Sequence, residues 1–255
     1  MYLTQLTDLI SANLSANEQL WFDNAMSSLQ LSTDPINDLL DISVVVKRKI
    51  QSINQIENIL LTTTEVSDLL RIALLLQVLT SHNELSVSTV VKGYYQAGDS
   101  SEKAAILRGL NLIDSKGEAV AIAVRAGRCN SLDEFTALAL NNSYASEHFE
   151  DLNFNQLVLK TLFLGLHIDT LLGLNKRLSA QLSNMCFSYV VEQALAERVP
   201  SATIWLAIRY SDLTSEHENI FVQYVKHFAS RDNQHAAAIK SLIVKQSLSF
   251  LNEEL

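Results

Sequence analysis

Apolar residues recur at three- and four-residue spacing along almost the whole chain, the pattern of helices that bury one face. The spacing predicts helices over residues 2–13, 16–29, 36–50, 53–61, 65–80, 86–97, 100–113, 117–128, 132–140, 153–164, 176–197, 201–209, 215–229 and 232–248. Several of these starts have a physical cause. Asp34 stands where an N-cap belongs, ahead of Pro35 at the first helical position. Asp99 precedes Ser100 and Glu102, so acidic groups sit at the positive end of that helix. Ser131 and Glu134 have capping-box spacing, and Pro200 ends one helix before the next opens.

Two stretches, 69–80 (LLRIALLLQVLT) and 119–126 (AVAIAVRA), are apolar nearly all round and are expected inside a helical layer. Connections of two to five residues make neighbouring helices antiparallel. No linker-like stretch interrupts the chain, and no repeat of fixed period is visible. These features predict one all-α domain spanning 1–255, an irregular α-α superhelix of short antiparallel helices, HEAT-like.

Composition narrows the picture further. Seven Gly and two Pro in 255 residues are far below the average combined usage of about 12%, too few for a fold built on tight hairpins. Apolar residues make up 48% of the chain and charged ones 18%, which disfavours disorder. Nineteen basic against 28 acidic residues give a net charge of −9, which opposes nonspecific attraction to nucleic acid and to anionic membranes. The basic run Lys47-Arg48-Lys49 falls at a predicted helix C-terminus, where the dipole accounts for it. The N-terminus lacks the basic region of a signal peptide. The longest uncharged apolar stretch, 72–80, is far short of a membrane span of about 20 residues. A cytoplasmic protein without direct membrane binding is expected. Cys129 and Cys186 read as buried thiols in a reducing compartment.

The search for chemistry is mostly negative. Phosphate-loop, dinucleotide-binding, zinc-protease and nucleophile-elbow motifs are missing from the sequence. His217, His227 and His235 do not have the spacing of ligands on one helix, so no metal and no cofactor is expected, and these histidines read as exposed. Interest concentrates between Arg125 and Arg177. Asn153, Gln156 and Lys160 form a narrow polar stripe on an otherwise greasy helix, either a solvent-facing edge or the wall of a pocket. A lysine flanked by apolar residues is either paired with an acid or depressed in pKa, and Glu147, Glu150 and Asp151 lie near Lys160 in sequence. Arg125 and Arg128 share a face; they either pair with Glu118, Asp133 or Glu134 or hold an anion. Asn130 is expected in a left-handed helix cap, with Arg128 structural in the last turn.

The order and spacing of polar anchors in this region resemble the EboA family. The residues that carry the likeness are Glu118-Ala119, Arg128, Asn130, Tyr144, His148-Phe149, Asn155-Gln156, Leu159-Lys160, Leu162-Phe163, Gly173-Leu174, Arg177, Glu197, Pro200 and Trp205. The likeness runs over roughly 100–245 and is densest from 117 to 210; before about residue 95 it is helical character alone. Two departures stand out: Ser143 and Ala145 replace prolines around Tyr144, which is expected to loosen that loop, and Asn175 replaces an aspartate. The resemblance implies a place in a bacterial and algal gene cluster that makes or moves a small prenylated or cyclitol-type metabolite. It assigns no reaction to this member.

Two readings of function remain open. One is a noncatalytic helical scaffold or small-molecule-binding protein serving a secondary-metabolite biosynthesis or transport pathway, with partners among the other proteins of the cluster. The other is an enzyme acting on an anionic small molecule through His148 and Lys160. His148, Asn155, Gln156, Lys160, Arg125 and Arg177 are the candidate ligand-binding residues, and no catalytic residue is assigned.

Overall fold

The computed structural model describes residues 2–51, 55–58 and 60–251, with backbone alone at Thr63. The fold is all-α apart from one two-stranded hairpin. The chain forms two compact units, Met1–His148 and Phe149–Leu255.

The first unit holds α1 (Tyr2–Ser11), α2 (Ala16–Leu31), α3 (Pro35–Lys49), β1 (Gln55–Asn58), β2 (Thr62–Glu65) and α4 (Val66–Ser81). It continues with α5 (Val87–Ala97), α6 (Ser100–Arg108), α7 (Leu110–Ile113), α8 (Val120–Gly127), α9 (Leu132–Ala139) and α10 (Tyr144–His148). Helix α4 is its centre. Every residue from Val66 to Leu75 is buried, and α1, α2, α3, α5, α6 and α7 all pack against it. The stretch apolar all round thus lies where its pattern predicted. Its polar members are handled locally: Asp68 pairs with Arg108 and lies 3.9 Å from Arg71, which donates to Ser101 at 3.1 Å. Burial raises the Asp68 pKa against the opposing pull of Arg108. A second buried network joins three helices, because the Ser43 hydroxyl of α3 meets both Tyr94 of α5 and, at 2.8 Å, the Glu102 carboxylate of α6.

Several predicted helices need correction. In place of a helix over 53–61, residues 55–58 pair antiparallel with 62–65, Gln55 opposite Glu65 and Asn58 opposite Thr62. Ile53, Asn54 and Ile59 lie outside the described residues. Asn58 makes the turn, its side-chain oxygen accepting the N–H groups of Leu60 (3.0 Å) and Leu61 (2.7 Å), and the threonine run favours strand. The predicted helix 100–113 breaks into α6 and α7 at Gly109. A Cβ there would lie 2.6 Å from Ile72 of α4, so the close helix approach needs glycine. Helix α8 has a wet face, with Ala121 and Arg125 exposed: its small side chains read as apolar without being enclosed. Asn130 does not take the left-handed conformation; Asn141, at φ 53°, does.

The second unit holds α11 (Asp151–Phe163), α12 (Ala180–Leu195), α13 (Ser215–Arg231) and α14 (Asn233–Gln246). Between them run 3₁₀ turns at Ile168–Thr170, Leu174–Lys176, Ala202–Ala207 and Tyr210–Asp212, and another follows at Ser249–Leu251. The expected helix 201–209 is thus a 3₁₀ turn, and 176–197 shortens to α12. Helices α11 and α12 run parallel rather than antiparallel. Asn155 meets Gln181 at their N-terminal ends, while Lys160 and Phe163 share a hollow with Ser188 and Glu192 further along both. The connection over residues 164–179, far longer than a short turn, makes this possible. An aromatic core of Phe187, Trp205, Phe221 and Phe228 holds the unit together.

Candidate functional site

A groove of about 860 Å³ lies in the second unit. One wall is the irregular segment around Ile168–Leu178, which contributes Leu171, Leu172, Leu174 and Leu178. Gly173, at φ 80°, turns this segment so that leucines on both sides of it line the space. Trp205 and Leu206 of the 3₁₀ turn form the floor. The opposite wall is one face of α14, where Gln234, Ala237, Ala238, Ser241 and Lys245 recur at helical spacing. Small side chains on that face leave the volume open. Leu172 and Leu206 remain 43% and 39% exposed in a protein that buries most of its leucines. Polar groups sit sparsely at the edge: His167, Asp169, Asn175, Lys245 and Arg209, the last also holding Asp212 and the carbonyl of Leu178. Apolar walls with a few polar groups, and a volume within about 300–1,000 Å³, are the usual make-up of a small-molecule site.

Trp205 is fixed from behind. Its indole Nε1–H can only donate, and it donates to Nδ1 of His235 at 2.9 Å. The imidazole proton therefore belongs on Nε2, which donates to the Pro200 carbonyl at 2.9 Å. His235 is 1% exposed and stacks on Phe228, so the expectation of an exposed histidine is wrong here. His217 is half-buried and bonded to Asn184.

The candidates read from the sequence are dispersed among other features. Asn155 is buried and ties α11 to α12 through Gln181 at 3.3 Å. Arg177 donates to the Phe149 carbonyl (2.7 Å) and to Asp151 (2.9 Å) and lies over the Phe154 ring, fastening the start of α11. Asp151 is thereby committed to Arg177. Lys160 instead lines a hollow of about 400 Å³ with Phe163, Tyr189 and Glu192, while Gln156 is exposed on the same helix.

In the first unit, His148 closes α10. Its ring packs on Tyr144 with centroids 4.6 Å apart, and it covers Gly117, where a Cβ would lie 2.9 Å from Nδ1. The segment around Tyr144 is not loose despite its missing prolines. Tyr144 is fully buried, its N–H donates to Asn142 and its hydroxyl to Asp114 at 2.6 Å. Asp114 also accepts the N–H groups of Lys116, Glu118 and Ala119. Burial works to raise its pKa, but the Tyr144 hydroxyl and these N–H groups outweigh it and hold the carboxyl below its usual range. Gly117 has φ +76°. Gly117→Ala should therefore lower stability by about 1–2 kcal/mol from the backbone alone, and more from the contact with His148. Adding His148→Ala should restore only the contact part, read as a partial recovery of the melting temperature.

Arg125 lines a separate hollow of about 550 Å³ in the first unit with Tyr95, Lys103, Arg128, Cys129 and Glu134. Ser131 caps α9 by accepting the Glu134 N–H, but the Glu134 carboxylate accepts the Tyr95 hydroxyl at 2.6 Å, so the bonds described form half a capping box. No helix among the described residues is long and apolar enough to cross a membrane.

Fold and groove together define a class: an all-α protein with a leucine-rich apolar groove. The chain belongs to the family described as metabolite traffic protein EboA, whose sequence model matches residues 3–209. The matched segment begins well before residue 100 and ends at the groove's 3₁₀ floor; the α14 wall lies beyond it. No curated protein and no solved structure matches the chain.

The groove was the part that sequence reasoning missed. Its signal was present in two places: leucines on either side of Gly173, and the Ala237, Ala238 and Ser241 face of an otherwise ordinary helix.

Proposed function

We propose that this chain is a noncatalytic small-molecule-binding protein that carries or presents a metabolite to partner proteins of its own gene cluster, and that the ligand sits in the groove between the 168–178 segment, Trp205 and α14. The observation that carries this reading is the groove itself, about 860 Å³ walled chiefly by leucine, alanine and tryptophan. The family description as metabolite traffic protein supports it. The ligand chemistry that fits is mostly apolar with one polar end, met by Lys245 or Asn175 at the edge. A prenylated metabolite, one of the two classes implied by the family resemblance, has that character.

Native mass spectrometry tests the proposal on protein purified from a host expressing the whole gene cluster. Wild type should carry an organic adduct that denaturation releases. Ala238→Trp fills the groove from the α14 side and should lose the adduct without a fall in melting temperature. Wild type free of any adduct, or an adduct retained by Ala238→Trp, would overturn the assignment.

A further inference from the structure

The apolar groove has two unlike ends, and hydrogen bonds fix which parts of its walls meet at each. At the N-terminal end of α14, His235 donates to the Pro200 carbonyl, and Thr203 accepts the Ile168 N–H at 3.0 Å. At the C-terminal end, Gln246 donates to the Ile208 carbonyl and accepts the Tyr210 N–H, both at 2.8 Å. Arg209, between those two residues, donates to the Leu178 carbonyl at 3.2 Å. The groove therefore runs along α14 from Gln234 to Lys245, about 16 Å of helix axis. Its charges are unequally placed. With histidine counted as neutral, the described lining residues carry two cations, Arg209 and Lys245, and one anion, Asp169. Arg209 is compensated by Asp212. Lys245 and Asp169 make no ion pair among the described residues, and they stand at opposite ends, Lys245 in the last turn of α14 and Asp169 beside Ile168. The α14 dipole accounts for a lysine in that turn, but the nearby carbonyls of Ile243 and Val244 are taken by the Leu248 and Ser247 N–H groups.

Resting on the groove as the ligand site, we propose that its ligand is a long-chain carboxylate, the acid head against Lys245 and the apolar chain running along α14 past Ala238 toward Gln234. One ammonium matches one carboxylate, and Ser241, one turn earlier on the same face, offers a hydroxyl to the second oxygen. A phosphate monoester carries close to two charges and would leave one unmet. Asp169 repels the same head from the other end, so the ligand has a single direction in the groove.

Displacement of the uncharged dye Nile red, followed by fluorescence at about pH 8 where lysine and carboxylic acids are both charged, tests the assignment. All ligands are kept below the concentrations at which they self-associate. Nile red should bind wild type and be lost from Ala238→Trp. Dodecanoate should displace it from wild type at about fivefold lower concentration than dodecanol, with dodecyltrimethylammonium weaker than either. Lys245→Gln alters an exposed side chain; it should remove the preference for the acid and leave dodecanol unchanged. Lys245→Arg and Asp169→Asn should both keep the preference. Affinity should rise from octanoate to dodecanoate and level off at hexadecanoate, whose extended chain outruns the groove. Equal displacement by acid and alcohol in wild type, or an acid preference that survives Lys245→Gln, would overturn the proposal while the groove stands. So would dodecyl phosphate binding more tightly than dodecanoate. Wild type that binds neither Nile red nor dodecanoate, or Nile red retained by Ala238→Trp, would overturn groove and ligand together.

Discussion

Replacing Asp114 by Ala should destabilise the protein by about 3–4 kcal/mol, because a buried carboxylate that accepts several hydrogen bonds leaves their donors stranded when it is removed. The donors are the Tyr144 hydroxyl and the N–H groups of Lys116, Glu118 and Ala119; Tyr144 and Ala119 are fully buried and have no access to water. Asp114→Asn retains one acceptor oxygen and should cost less, about 1–2 kcal/mol. The same group gives stability a pH dependence of known sign. Its folded pKa is lowered, so its contribution is complete above the unfolded value of about 3.9 and disappears as pH falls through the folded value. Urea unfolding of wild type and Asp114→Asn, compared from pH 6 down to pH 3, should show a stability gap that is constant above about pH 5 and narrows below about pH 4. A gap that widens on acidification would mean that the carboxylate is not held in its charged form. Asp68, whose pKa burial raises, acts in the opposite direction, but it is present in both proteins and cancels in the comparison.

His235→Ala should have a comparable effect in the second unit, about 3–5 kcal/mol, for a different mixture of reasons. The imidazole accepts the Trp205 indole N–H, and its own N–H satisfies the Pro200 carbonyl. Truncation orphans both groups and opens a void against Phe228, on which the ring is stacked. Because Trp205 floors the groove, the substitution should also reduce retention of the groove's ligand. Chemical denaturation followed by tryptophan fluorescence reads the first effect and native mass spectrometry the second. A stability loss under about 1 kcal/mol would show that Trp205 finds another partner.

The two residues also show what could be read in advance. Trp205 was visible as an anchor of the family resemblance, whereas His235, thirty residues away in sequence, looked like a surface histidine. Asp114 falls between two predicted helices, where an acidic residue is unremarkable; only the folded chain brings the Tyr144 hydroxyl to it. Arg177 and Asn155 were read as candidate ligand-binding residues among the anchors of the family resemblance. Their partners, Phe149, Asp151 and Gln181, make them fasteners of α11. A polar residue in a greasy helix announces that it needs a partner; its type does not say whether that partner is protein or ligand.

By itself the sequence determined the all-α class, most helix positions, the buried central helix α4 and the family, because each follows from periodicity, composition or the order of anchors along one dimension. Helix boundaries moved where a side chain answered to a distant neighbour. The predicted helix 100–113 is interrupted at Gly109, where a Cβ would lie 2.6 Å from Ile72 of α4. The groove and the hollow at Lys103, Arg125 and Arg128 are formed by segments that meet only in the tertiary structure. Each is assembled from several separate segments of the chain, and the residues that make them are ordinary leucines, alanines, lysines and arginines. What distinguishes those residues is the shared space between them, and periodicity along a single helix holds no record of it.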